Sequence, residues 1–122
     1  MGFTRYYEGN VTITDQLVED VEKIIKEAPC AINGWDGTGE PVVTLKEIRL
    51  NGNELNDESC ETFLLNNGEQ EWGFCKTARE PYDLVVATIL RRISILNPGF
   101  EVSSDGGNNE EAVTEYYNKL FS

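Results

Sequence analysis

The segment Pro81–Leu96, PYDLVVATILRRISIL, constrains the fold more than any other. Tyr82, Val85, Val86, Ile89, Ile93 and Leu96 recur at helical spacing and make a wide apolar stripe. A helix with so broad a stripe has to bury it against other layers. Pro81 suits the first helical position, where its missing N–H costs nothing. Asn97-Pro98-Gly99 ends the helix.

A second amphipathic helix lies upstream. In TDQLVEDVEKIIKEAP, Thr14 or Asp15 is the N-cap and acidic residues fill the first turn. Leu17, Val21, Ile24 and Ala28 repeat on one face, Val18 and Ile25 widen it, and Pro29 stops it. Strand-like blocks surround the two helices. Thr4–Ile13 is rich in aromatic and β-branched residues, with a turn or bulge at Gly9-Asn10. Val42–Leu50 reads as one strand with Val43, Leu45 and Leu50 placed inward. CETFLLN and EWGFCKT read as two more, joined as a hairpin at NNGEQ by its Asn-Gly pair. By period-two alternation Trp72, Phe74 and Lys76 share one face of the latter, and Gly73, Cys75 and Thr77 the other. FEVSSD is a short strand and DGGNN a sharp loop. NEEAVTEYYNKLF is a last short helix that turns Val113, Tyr117 and Leu120 inward. This order predicts an α+β fold, a mainly antiparallel sheet packed by two amphipathic helices plus a short C-terminal helix. With 122 residues and only short linker-like stretches, residues 1–122 are expected to form a single ligand-binding domain.

Charge and composition narrow the function. The net charge of −12 disfavours binding nucleic acid or an anionic membrane through a broad positive face. It fits high solubility or imitation of a polyanion. The chain has no histidine, which removes the commonest general base near neutral pH, every His-based metal site and every Ser-His or Cys-His pair. Cys30, Cys60 and Cys75 are odd in number and widely spaced, so neither a disulfide framework nor a zinc knuckle is indicated. MGFTRYYEGN lacks the apolar core of a signal peptide, and no apolar run approaches the roughly 20 residues of a membrane span. The chain is therefore expected in the cytoplasm.

Against this acidity, EWGFCKTAREPYDLVV places Lys76 and Arg79 just ahead of a helix start. A helix N-terminus carries unpaired N–H groups and about half a positive charge. With the Thr77 hydroxyl, the two cations make an anion site of the kind that holds a phosphate. Trp72 and Phe74 offer a stacking surface for a base, or serve the core. SSDGG adds the Ser103 and Ser104 hydroxyls, the Asp105 carboxylate suited to ribose hydroxyls, and glycines that admit a ligand to the backbone. Each feature also has a plain reading. Lys76 and Arg79 can pair with some of the 22 carboxylates, at about 0–1 kcal/mol per surface pair. SSDGG can be an ordinary turn, and Phe74 and Tyr82 can be core. Trp35, between glycines and polar residues, is a loop anchor or a stacking plate. Arg91 and Arg92 are expected to face solvent or glutamates.

WGFCKTAREPYDLVV, followed by VSSDGG, resembles a family of small phage proteins with a W-x-F-C-K-T-A-R-K-P-Y-D core. That family is the Thoeris anti-defence proteins, sponges for the cyclic ADP-ribose signal made by bacterial TIR-domain proteins. The motifs cover about a third of the chain, and Glu80 stands where the family pattern has lysine. The resemblance implies a non-catalytic protein, without cofactor, that binds glycocyclic ADP-ribose intact in the cytoplasm of an infected bacterium. It further implies a homodimer or a higher assembly such as a hexamer, and a separate site for cyclic oligonucleotide signals. Its motifs carry candidate contacts onto Phe74, Lys76, Thr77, Arg79, Tyr82, Ser103, Ser104 and Asp105.

The energetics allow such a role. Nanomolar affinity corresponds to about −12 kcal/mol. Base stacking supplies roughly 1–3 kcal/mol and each charge-assisted hydrogen bond about 1.5–3 kcal/mol. Two other functions fit parts of the sequence. The carboxylates of Asp15, Glu19 and Glu22, or of Glu54, Asp57, Glu58 and Glu61, can form stripes that mimic DNA to a host protein. A nucleotide hydrolase would use Asp83 or Asp105 as its base.

Overall fold

The computed structural model describes residues 2–106 and 110–122. Six strands and three helices follow in the order β1 Thr4–Val11, α1 Asp15–Lys26, β2 Val42–Val43, β3 Glu47–Leu50, β4 Phe63–Asn66, β5 Gly68–Lys76, α2 Asp83–Leu96, β6 Glu101–Ser104 and α3 Glu111–Phe121. The fold is α+β, with two antiparallel three-stranded sheets where a single sheet was expected. The first has the order β5-β1-β6 and the second β2-β3-β4.

Two departures from the sequence expectation create the second sheet. Val42–Leu50 is a hairpin, because the Thr44 hydroxyl accepts the N–H groups of Lys46 and Glu47 at 3.1 Å each and folds the chain back. Leu45 consequently sits exposed at the turn, and Ile48 and Leu50 supply the buried face instead. At Asn67-Gly68 the chain turns a corner between sheets: β4 pairs with β3 and β5 with β1. The Asn67 side chain takes the Ile13 N–H at 2.7 Å and its own N–H goes to Lys46 at 2.9 Å, so the turn is spent tying the two sheets together.

α2 lies at the centre. Tyr82, Val85, Val86, Ile89 and Ile93 are fully buried, and Ala87, Thr88 and Leu90 are buried as well. Its early turns are thus enclosed on nearly every side, while Leu96 reaches the surface. Both sheets and all three helices contribute to one core cluster, with Ile48, Leu50, Phe63 and Leu65 from the second sheet. α1 begins at the expected cap, with the Leu17 N–H donated to the Thr14 hydroxyl at 3.2 Å. α3 buries Val113, Tyr116 and Leu120; Tyr116 takes the inward place expected for Tyr117, and its hydroxyl donates to the Ile24 carbonyl at 2.6 Å. Arg92 reaches Asp20 at 2.8 Å and the Tyr117 hydroxyl at 2.9 Å, and Arg91 reaches Thr114 at 2.8 Å, so both clamp neighbouring helices. The expected loop at Asp105–Asn109 falls partly outside the described residues, as does the expected first residue of the last helix. Among the described residues no helix is long and apolar enough to cross a membrane.

Candidate ligand site

Helix α2 starts two residues later than Pro81, with Tyr82 as N-cap and Asp83 in its first turn. The positive end of this helix already holds an anion, the carboxylate of Asp83. Asp83 accepts the Thr77 hydroxyl at 2.6 Å and the Arg5 guanidinium at 2.7 and 2.8 Å. Arg5 also binds Glu110 through two bonds of 2.7 and 3.0 Å. Burial works against the charge on Arg5, yet the bonds to Asp83 and Glu110 outweigh it and raise the pKa above the ordinary arginine value. Thr77 and Tyr82 are fully buried and spend their hydroxyls inside the fold, Tyr82 on the Glu61 carbonyl at 2.6 Å. Both build the wall behind the site rather than its surface.

Four other candidates meet on the first sheet. Register places Phe74 opposite Tyr6 and Tyr6 opposite Ser103, one row across three strands. In the next row Lys76 faces Thr4, whose N–H donates to Asp105 Oδ2 at 3.0 Å. The Tyr6 hydroxyl donates to Asp105 Oδ1 at 3.0 Å, which raises its pKa above the usual tyrosine value. This face is open. Trp72 is 88% exposed, Phe74 49% and Tyr6 43%. A groove of about 290 Å³ runs along it, lined by Tyr6, Glu8, Trp72, Gly73, Glu101 and Ser103 among others. Gly73 is required there, since a Cβ would stand 2.7 Å from the Tyr7 carbonyl oxygen and clash with the Cδ2 and Cε2 carbons of the Tyr7 ring.

Arg79 sits around the corner. Its guanidinium carbon lies 3.9 Å from the centre of the Phe3 ring, and the Arg5 guanidinium stands 5.1 Å from the same ring. It lines a cleft of about 470 Å³ with Glu80, Asp83, Gly106, Glu110 and Glu111. The salt bridges among the described residues join Arg5 to Asp83 and Glu110, Arg49 to Glu47, and Arg92 to Asp20. Lys76 and Arg79 take no part in them. Neither cation is ion-paired among the described residues, and the Glu61 carboxylate accepts the Lys76 backbone N–H at 3.1 Å.

Ser104 is half-buried on β6 and stands opposite Arg5, on the face of the first sheet turned toward α2 and away from the open row. Trp35 belongs to the second sheet rather than the open row, 55% exposed in a 3-10 turn beside β3, with the Arg49 guanidinium 5.7 Å over its ring. Among the described residues Arg49 Nε is buried without a hydrogen-bond partner. Sequence reasoning missed Tyr6, Phe3 and Arg5. Alternation along FTRYYEG was the available signal: it separates Phe3, Arg5 and Tyr7 from Thr4, Tyr6 and Glu8. A cation on an apolar strand face also calls for a buried acid.

Comparison with known proteins gives no match to a family model, a curated protein or a solved structure.

Proposed function

We propose that this protein captures a cyclic ADP-ribose-type nucleotide, glycocyclic ADP-ribose, and holds it chemically unchanged, so that a Thoeris defence system loses its signal. The observation that carries the reading is the open row Phe74–Tyr6–Ser103, with Lys76 in the next row and Arg79 in the neighbouring cleft, neither of them ion-paired among the described residues, in a chain of net charge −12. An adenine stacks on the aromatic row, and the pyrophosphate is drawn to Lys76 and Arg79. Glu8 and Glu101 in the groove, and Asp105 beside the Tyr6 hydroxyl, accept hydrogen bonds from ribose hydroxyls or the adenine amine and repel phosphate from the rest of the groove. The resemblance of WGFCKTAREPYD to the anti-defence sponges points the same way.

Binding without turnover fits this site better than hydrolysis. Asp83 is buried and already bonded to Arg5 and Thr77, and Asp105 is bonded to Thr4 and Tyr6. Asp83 is thereby closed off as a base. Titration calorimetry with purified glycocyclic ADP-ribose tests the proposal. Saturable binding in the nanomolar range supports it, and the absence of binding heat at any temperature tried removes it.

A further inference from the structure

The geometry points to Phe3 as the residue that positions Arg79, by stacking its guanidinium away from the chain's own carboxylates and leaving its N–H edge open for phosphate. This inference rests on the reading of Arg79 as a phosphate contact. Arg79 shares its cleft with Glu80, Asp83, Glu110 and Glu111, yet is ion-paired with none of them. A flexible arginine in such surroundings ordinarily collapses onto an acid. Three features hold it back. Its guanidinium lies 3.9 Å from the Phe3 ring centre, and Phe3 is itself 3% exposed and therefore fixed. The backbone beneath it is clamped, since Thr77 and Ala78 both donate their N–H groups to the Phe3 carbonyl at 3.1 Å. Ala78 and Arg79 then take left-handed φ values of 53° and 58°, a conformation that costs non-glycine residues energy and turns the side chain toward Phe3. Gly106 leaves the room, because a Cβ there would stand 2.9 Å from Arg79 Nη2 and 3.0 Å from the Phe3 ring.

A stacked guanidinium keeps its N–H groups in the plane of the stack, directed outward, which suits bidentate binding of a phosphate rather than of a point charge. Phe3 acts as a guard against self-neutralisation, and Glu80 is the acid nearest in sequence that it guards against.

The test uses the full chain with Phe3→Leu, Glu80→Gln and the two combined. Side-chain NMR of Arg79 Nε reads its order in the free protein, and calorimetry reads binding of glycocyclic ADP-ribose. In the wild type the Arg79 Nε signal is expected to be ordered and shifted by the ring. In Phe3→Leu it loses both properties, and affinity falls roughly tenfold or more, as loss of a charge-assisted phosphate contact would give. Glu80→Gln added to Phe3→Leu restores part of that affinity. An Arg79 equally ordered in wild type and Phe3→Leu overturns the inference, as does unchanged affinity in Phe3→Leu or no recovery in the double variant. An Arg79 that behaves as expected in a protein that binds no signal overturns the proposed function alone, and the stack stands. Should Phe3→Leu fail to fold, Gly106→Ala displaces the same guanidinium and is expected to give the same loss of Nε order and affinity.

Discussion

Arg5 holds both carboxylate oxygens of Asp83, Nε to Oδ1 at 2.7 Å and Nη2 to Oδ2 at 2.8 Å, and so fastens the first turn of α2 to the middle strand of the first sheet. The pair is buried, Arg5 being 5% exposed, and Thr77 and Glu110 complete its hydrogen bonds. Breaking one side leaves a buried charge without its partner. Asp83→Asn is expected to destabilise the fold by about 3–5 kcal/mol in urea unfolding. A change below about 1 kcal/mol would mean that water reaches the pair and screens it.

Gly73 lies beneath the Tyr7 ring, whose hydroxyl is tied to the Leu64 carbonyl at 2.9 Å in the other sheet. The ring has no room to yield. Gly73→Ala should cost about 1–3 kcal/mol of stability or more through overpacking, although the position reads as an unremarkable strand residue. Thermal unfolding of this variant beside wild type measures it.

Binding and stability should separate on the open face. Trp72→Ala and Lys76→Ala remove exposed side chains and are expected to change stability by less than about 0.5 kcal/mol. Phe74→Ala should weaken ligand binding by about 1–3 kcal/mol if its ring carries the base. Lys76→Ala and Arg79→Ala should each weaken binding by about 1.5–3 kcal/mol, more than they destabilise the fold. Paired calorimetry and denaturation on each variant show whether the two effects separate.

Much of the fold was legible, and what escaped has local physical causes. The apolar periods of α1 and α2 and the alternation of β5 depend on neighbours along the chain, and the structure contains all three elements. The corner at Asn67-Gly68 was not legible as a corner, because Asn-Gly chemistry serves a hairpin equally well and only the bond to Ile13 decides. The same holds for the site. Period two already put Phe74 and Lys76 on one face, but which strand lies opposite Phe74 is a matter of register between residues far apart. Tyr6 is therefore visible only in the fold. Thr77 read as a phosphate donor because of its place before a helix, and the structure gives that hydroxyl to Asp83.

Alkaline stability offers a separate check on the core. Burial, with help from the Glu61 charge, pushes the Cys75 thiol up to about 12 from its ordinary value of 9.0. Above pH 9 the unfolded chain loses this proton while the folded one keeps it, so the unfolded state binds fewer protons and stability falls as pH rises. The loss should run from about pH 9 to about pH 12, at no more than about 1.4 kcal/mol per pH unit from this group. Cys75→Ala should flatten that part of the profile. At mildly alkaline pH an alkylating reagent should label the exposed Cys60 and spare Cys75.

The central claim is capture without chemical change. The most direct measurement incubates the protein with a stoichiometric amount of glycocyclic ADP-ribose, removes unbound ligand by filtration, heat-denatures the complex and identifies what is released by mass spectrometry and chromatography. The account predicts that the filtrate is depleted of the signal and that heating returns it intact and in full. A filtrate that still holds all the signal, or release of a ring-opened or hydrolysed product, would contradict it.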